Sequence, residues 1–356
     1  MDLYKLLVLF LFFWGGFIFT YYLTPVVIQV VKVKRLYEKL SERSSHSVHI
    51  PSFGGVVFFV VFILAISFSE QFFLTFRAEY FVPAATVMFV VGLKDDLTGI
   101  SPLNKIIAQI IATTILFLSA DFQITNLHGF LGIHTISPWV VMPLSYAVII
   151  FFINAYNLID GIDGLAAALG SVFFTAFGIL FYQLQDWGAL MVCVAMVGMF
   201  IAFLRYNLSS DKKIFMGDTG SLFIGFVLVS MVIVLMSSDY AKRIEHLAPA
   251  NFGLFLIAVL YVPIFDSIRI FVTRIKEGRS PFSPDRNHIH HLLMDAYQLS
   301  HIQTTSRILI FAMSMPLILW GLSFYISHFW LVIFLLVKSA GLSYYLHCLR
   351  RKILVS

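Results

Sequence analysis

Eleven apolar runs parted by short polar breaks constrain this chain more than any other feature. They fall near residues 6–31, 53–69, 80–93, 106–120, 139–153, 165–182, 187–204, 219–237, 252–272, 308–326 and 329–347. A membrane-crossing helix needs about 20 apolar residues, so eleven would consume about 220 positions. The chain has 356 residues, 60% of them hydrophobic, which is enough. Only 12% are charged and the mean hydropathy is +0.90, which excludes a soluble enzyme, a disordered chain and a nucleic-acid module. The expected fold class is all-α, a polytopic membrane protein of about 11 transmembrane helices. The first run is too long for a signal-peptide core and reads as a retained helix. Cys193 and Cys348 both lie in apolar runs, so neither a disulfide framework nor a metal-spaced pair is expected.

Charge distribution gives an orientation. When alternate breaks are assigned to opposite sides, one side carries 19 Lys and Arg and the other 4, with Lys338 inside the last run. The positive-inside rule then places the N-terminus outside and the C-terminus in the cytoplasm, as an odd number of crossings requires. The acids divide in kind. On the outer side Glu70, Glu79, Asp186 and Asp239 are single. On the cytoplasmic side acids gather with glycines, which points to one composite site built from the loops near 32–52, 94–105, 154–164, 205–219 and 273–305.

Four clusters make up that site. Gly92-Leu93-Lys94-Asp95-Asp96 ends an apolar run with adjacent carboxylates, whose repulsion a cation would offset; a solvated loop start explains them equally well. Asn154, Asn157, Asp160 and Asp163 follow a fully apolar stretch, and Gly161 and Gly164 leave room for a ligand. Asp160 and Asp163 would share a face if the segment is helical. Polar groups at that depth usually face a cavity. Capping of the next helix would account for Asp163 alone. Gly217-Asp218-Thr219-Gly220 sets an acid at the start of another run, where free N–H groups attract phosphate, although an N-cap would look the same. The loop Asp285-Arg286-Asn287-His288-Ile289-His290-His291 groups three histidines without a cysteine. It suits phosphate oxygens better than zinc, and a solvated basic loop is its plain alternative.

Together the strings GLKDD, NAYNLIDGIDGLA, KIFMGDTGSL and SPFSPDRNHIHHLL resemble the polyprenyl-phosphate N-acetylhexosamine-1-phosphate transferases. Within them the likeness is to the bacterial undecaprenyl-phosphate GlcNAc-1-phosphate transferases, running in order from about residue 43 to 293. The resemblance implies that Asp95 and Asp96 are catalytic and that Asp218 binds magnesium. It implies that Asn157, Asp160 and Asp163 line the nucleotide and metal pocket, with Asp160 as a second candidate metal ligand. Lys105 would contact phosphate, and Arg274, His288, His290 and His291 would bind the sugar nucleotide. Arg43, His46, Pro51, Gly54 and Gly55 resemble a first cytoplasmic motif. Ser44, Leu103 and a longer spacing from Asn207 to Asp218 depart from the pattern.

The implied activity is a Mg2+-dependent transfer, with Mn2+ as a substitute. GlcNAc-1-phosphate, or another N-acetylhexosamine-1-phosphate, moves from its UDP-sugar to undecaprenyl phosphate and starts a cell-envelope glycan. Residues 1–356 would form one transferase domain in the bacterial inner membrane, with its active site facing the cytoplasm. The expected partners are the two substrates and the bilayer, with a homodimer left open and no nucleic acid. Asp95 or Asp96 would either steer and deprotonate the lipid phosphate or attack as a nucleophile. An ion-coupled transporter is the rival class, but it would place its acids at the membrane midplane in paired broken helices.

Overall fold

The computed structural model describes residues 3–36, 50–69, 76–130, 132–236, 252–280, 283 and 285–355. Its helices are α1 (Leu3–Lys34), α2 (Gly54–Ser67), α3 (Ala78–Thr98), α4 (Pro102–Leu116), α5 (Pro138–Ile159), α6 (Leu165–Gln183) and α7 (Trp187–Asn207). They continue as α8 (Gly217–Leu235), α9 (Phe252–Val259), α10 (Tyr261–Lys276), α11 (Ile289–Tyr297), α12 (His301–Ser323) and α13 (His328–Val355). Among the described residues seven of these are long and apolar enough to cross a membrane, and α9 and α10, bent by 78° at Leu260, reach that length only when taken together. The chain is therefore a helical, multi-pass membrane protein.

Two features depart from the sequence reading. Residues 252–272, expected as one helix, break at Leu260. An antiparallel hairpin, β1 (Asn126–Phe130) with β2 (Ile133–Thr135), fills the break between two apolar runs, where the sequence reading named no element. Several helices also outrun their apolar runs at the polar end. α3 continues through Asp95 and Asp96 to Thr98, α5 continues to Ile159, and α4 begins at Pro102 so that Lys105 lies in its first turn. A period count based on hydrophobicity stops where charge begins, but the backbone ladder continues until something ends it. For α4 the start is set by Ser101, whose Oγ accepts from Asn104 N, and by Pro102 in the first turn.

The core sits around α8, which packs against α2, α3 and α5. Aromatic rings fill the join: Phe59 stacks on Phe89 at 4.1 Å between centroids, and Phe62 meets Phe223 edge-on at 5.3 Å. Such pairs add about 1 kcal/mol each beyond the area they bury. Beside this join the polar ends of α3, α4, α5 and α8 meet and form one floor.

Candidate active site

The first turn of α8 is the keystone of that floor. A helix N-terminus leaves N–H groups without partners, and Met216 at the N-cap supplies no side-chain cap. Asp96, from the last turn of α3, supplies it instead. Its Oδ1 accepts from Asp218 N at 2.9 Å, and its Oδ2 accepts from Thr219 N at 2.9 Å and from Thr219 Oγ1. Gly217 has φ +71°, and a side chain there would collide with Ser52 O and Asp96 Oδ2, so only glycine allows this approach. Segment 51–55 closes the other side, with Phe215 N donating to Pro51 O and Gly54 N to Phe215 O.

Asp95, one residue earlier, has different surroundings. Its Oδ1 accepts from Ile100 N at 2.6 Å, and its Oδ2 pairs with Lys105. Lys105 Nζ is also 2.5 Å from Asp218 Oδ2, so one ammonium sits between carboxylates from α3 and α8. Asn157 Nδ2 completes the cluster, donating to Asp218 Oδ1 at 2.7 Å and to Ser221 Oγ at 2.8 Å. Asn154, one turn earlier on α5, pairs with Gln109 instead.

Asp160 and Asp163 do not share a helix face, because residues 160–164 form turns. The Asp160 backbone N–H donates to Asn157 O, but its carboxyl makes no hydrogen bond or ion pair among the described residues. Burial and the negative charges of Asp218, Asp96 and Asp163 push its carboxyl well above the usual carboxylate range. Asp163 points elsewhere. Lys213 Nζ lies 2.6 Å from it and His301 Nδ1 2.7 Å, and these contacts outweigh burial to hold its carboxyl below the ordinary value. It does not cap α6; Gly164 occupies that position. Asn207 staples the same region, accepting from Gly164 N at 2.6 Å and donating to Ile214 O at 2.8 Å.

The donor chemistry fits a hard divalent cation. Lys105 already stands as a positive charge between Asp95 and Asp218, and the Asp160 carboxyl, set near three other acids, has no partner among the described residues. Among the described residues no three His, Cys, Asp or Glu side chains form a ready cage. Mg2+ does not need one, since it takes one or two carboxylates and completes its shell with water and phosphate oxygens.

The histidine loop borders this cluster through Gly161, where a side chain would collide with His290 Nε2. His290 is buried with neither ring nitrogen hydrogen-bonded among the described residues. Burial and the neighbouring His291 and His288 rings push it well below the usual histidine range, and burial with Arg286 brings His291 to about 4. Arg274 is buried and paired with Asp285 at 3.0 Å. Despite burial, that pairing and Asn287 N hold Asp285 below its ordinary value. Two residues of α10 that the motif reading passed over anchor the loop. Asp266 meets His288 Nδ1 at 2.9 Å, and Arg269 donates to Asp266 and to Asn287 O. Their signal was an acid inside an apolar run with an arginine three residues on. Arg43, His46 and Ser44 lie outside the described residues.

Residues 79–236 match the family described as glycosyl transferase family 4. An undecaprenyl-phosphate alpha-N-acetylglucosaminyl 1-phosphate transferase of Yersinia pestis is 34% identical over 270 residues, 73% of this chain and 70% of that protein. The protein of the same name from Escherichia coli strain K12 is 29% identical over 289 residues, 79% of this chain and 75% of its own. A decaprenyl-phosphate N-acetylglucosaminephosphotransferase of Mycobacterium tuberculosis is 30% identical over 283 residues, 73% and 68% of the two chains. Relatedness at this level, together with the site just described, shows that the chain belongs to glycosyl transferase family 4, among the polyprenyl-phosphate N-acetylhexosamine-1-phosphate transferases.

Proposed function

We propose that this protein transfers GlcNAc-1-phosphate from UDP-GlcNAc to undecaprenyl phosphate, giving undecaprenyl-diphosphate-GlcNAc and UMP and starting a cell-envelope glycan. The observation that carries this reading is the meeting of Asp95, Asp218 and Asn157 around Lys105, from four different helices. Phosphoryl transfer asks mostly for positioning and charge neutralisation, which such a cluster supplies.

An oxygen of the lipid phosphate attacks the phosphorus that carries the sugar, and the bond from that phosphorus to the UMP oxygen breaks, the electron pair leaving with UMP. Lys105 exchanges a carboxylate for phosphate oxygens and stabilises their charge. Asp95, pinned by Ile100 N, steers the lipid phosphate and takes its proton, or attacks the phosphorus itself; trapping an aspartyl phosphate separates the two routes. Asp96, both of whose oxygens are spent on α8, acts by holding Asp218 in place. Asp218 and Asp160 would hold Mg2+, which when bound neutralises the diphosphate.

His290, with two orphan ring nitrogens, and His288 and His291 beside it take the sugar nucleotide, while Arg274 shapes their loop through Asp285. A groove of about 1020 Å3 between α9–α10 and α13 receives the prenyl chain. Leu254, Ile264, Ile268 and Leu335 line it, and Lys276 and Arg350 stand at its polar end. In this arrangement the whole chain is one transferase domain of the inner membrane. The seven long spans, the bent pair and α2, α3 and α4 make eleven crossings, with the N-terminus outside and the acids facing the cytoplasm.

Purified protein in nanodiscs, given undecaprenyl phosphate and a panel of UDP-N-acetylhexosamines, tests the reading. UMP release is expected with UDP-GlcNAc and only with Mg2+ or Mn2+. Release from another sugar alone would reassign the donor, and metal-independent release would remove the metal from the account.

A further inference from the structure

Asp266 divides its two oxygens between two tasks. It is buried in α10. Its Oδ1 accepts from Arg269 Nη2 at 2.7 Å and from Ile289 N, the first turn of α11, at 3.1 Å. Its Oδ2 faces His288 Nδ1 at 2.9 Å. Capping of α11 explains the Oδ1 contacts but not the second oxygen, which is spent on a ring nitrogen. An ionised carboxylate only accepts hydrogen bonds, so Nδ1 must be the nitrogen that carries the proton. The ring is held on its face as well: His288 lies nearly parallel to His290, 5.6 Å between centroids and 12° apart, and His290 rests against Gly161. His288 Nε2 makes no hydrogen bond among the described residues.

We propose that Asp266 is a positioning residue that keeps the His288 proton on Nδ1, so that Nε2 is free to accept a hydrogen bond or a proton at the sugar-nucleotide end of the site. This rests on the reading of the histidine loop as the sugar-nucleotide site. A carboxylate that fixes a histidine's tautomer controls which of its nitrogens can do chemistry, and amide replacement of such a carboxylate inverts the assignment with little change in shape.

Asp266→Asn is therefore the informative variant. Its Oδ1 still accepts from Arg269 and Ile289, but the other position becomes a donor and obliges His288 to carry its proton on Nε2. In nanodiscs with 15N-labelled histidine, a signal from a ring protonated on Nδ1 is expected that disappears in His288→Gln and converts to the Nε2 form in Asp266→Asn, whereas the His301 signal stays in both. The kcat for UMP release should fall about 100-fold in Asp266→Asn, the scale of a lost acid–base partner. The KM for UDP-GlcNAc should change less than about threefold and the melting temperature should hold. In the His288→Gln background the same substitution should lower kcat no more than about twofold, because its effect runs through that ring. A His288 protonated on Nε2 in the unaltered protein, an unchanged kcat in Asp266→Asn, or an equal loss in both backgrounds would each overturn the proposal. Absence of UMP release from the unaltered protein would sink the transferase reading instead, and the ring-nitrogen measurement would still decide the role of Asp266.

Discussion

The helices α8 and α13 are alike as sequences and opposite in their surroundings. Both are long and apolar enough to cross a membrane. Yet 89% of the apolar stretch is buried in α8 and only 17% in α13. Small residues explain α8: Gly217, Gly220, Ser221 and Gly225 let α2, α3 and α5 come close enough to share its first turn. α13 instead turns Phe329, Trp330, Val337 and Tyr344 outward. Lipid is as apolar as these side chains, so their exposure costs α13 little, and packing rather than hydrophobicity decides which helices lie inside. Asp218 stands in the first turn of the well-packed α8, whereas the long groove lies along the sparsely covered α13.

Substitutions can break or sharpen this contrast. The largest effect is expected at the acid cluster, where Asp95→Asn should lower kcat for UMP release at least about 1000-fold with little change in melting temperature. Asp96→Asn should instead cost stability, because an amide cannot accept on both sides and leaves a buried N–H of α8 unpaired, at about 2 kcal/mol. Equal behaviour of the two would erase the distinction between a reacting and a bracing aspartate.

Truncation probes the packing directly. Leu228→Ala in α8 should cost about 3 kcal/mol, read as unfolding in a detergent titration. Val337→Ala in α13 should stay within about 0.5 kcal/mol. A similar loss at both positions would mean that α13 is covered by protein.

Acid should act through the histidine loop. The His291 pKa is lowered by folding to about 4, so the unfolded chain binds more protons between that value and the ordinary 6.5. The stability it contributes is present above 6.5 and drains away as the pH falls toward 4, by about 2 kcal/mol at pH 5. His291→Gln should flatten that part of the melting profile. The smallest effect belongs to the groove: Ala340→Trp should raise the KM for undecaprenyl phosphate about tenfold while leaving that for UDP-GlcNAc unchanged.

Much of this was legible in the residues. Apolar length marked a helical, multi-pass membrane protein, and the association of acids with glycines singled out Asp95, Asp160 and Asp218 as candidates, because a carboxylate at a helix end among glycines has few reasons to be there. What sequence could not separate was Asp95 from Asp96. They are neighbours in the chain, but successive side chains on a helix point about 100° apart, and only the position of α8 decides which one is consumed by its backbone. The surroundings of Asp163 were hidden for a similar reason. Its partners Lys213 and His301 are 50 and 138 residues away, beyond the reach of any local pattern. The break at Leu260 did leave a signal that hydropathy passes over: Pro263, in the first turn of α10, has no N–H to give to Val259 O, although Leu260, Tyr261 and Val262 are as apolar as what surrounds them.

The central claim is that the carboxylates around Lys105 carry a sugar-phosphate transfer, and the lipid product tests it most directly. Nanodisc-embedded protein with UDP-GlcNAc, Mg2+ and undecaprenyl phosphate, followed by mass spectrometry of the extracted lipid, should yield undecaprenyl-diphosphate-GlcNAc and one UMP per lipid converted. Asp218→Asn, folded to the same melting temperature, should yield neither. Full product from that variant, or a lipid bearing one phosphate rather than two, would contradict the account.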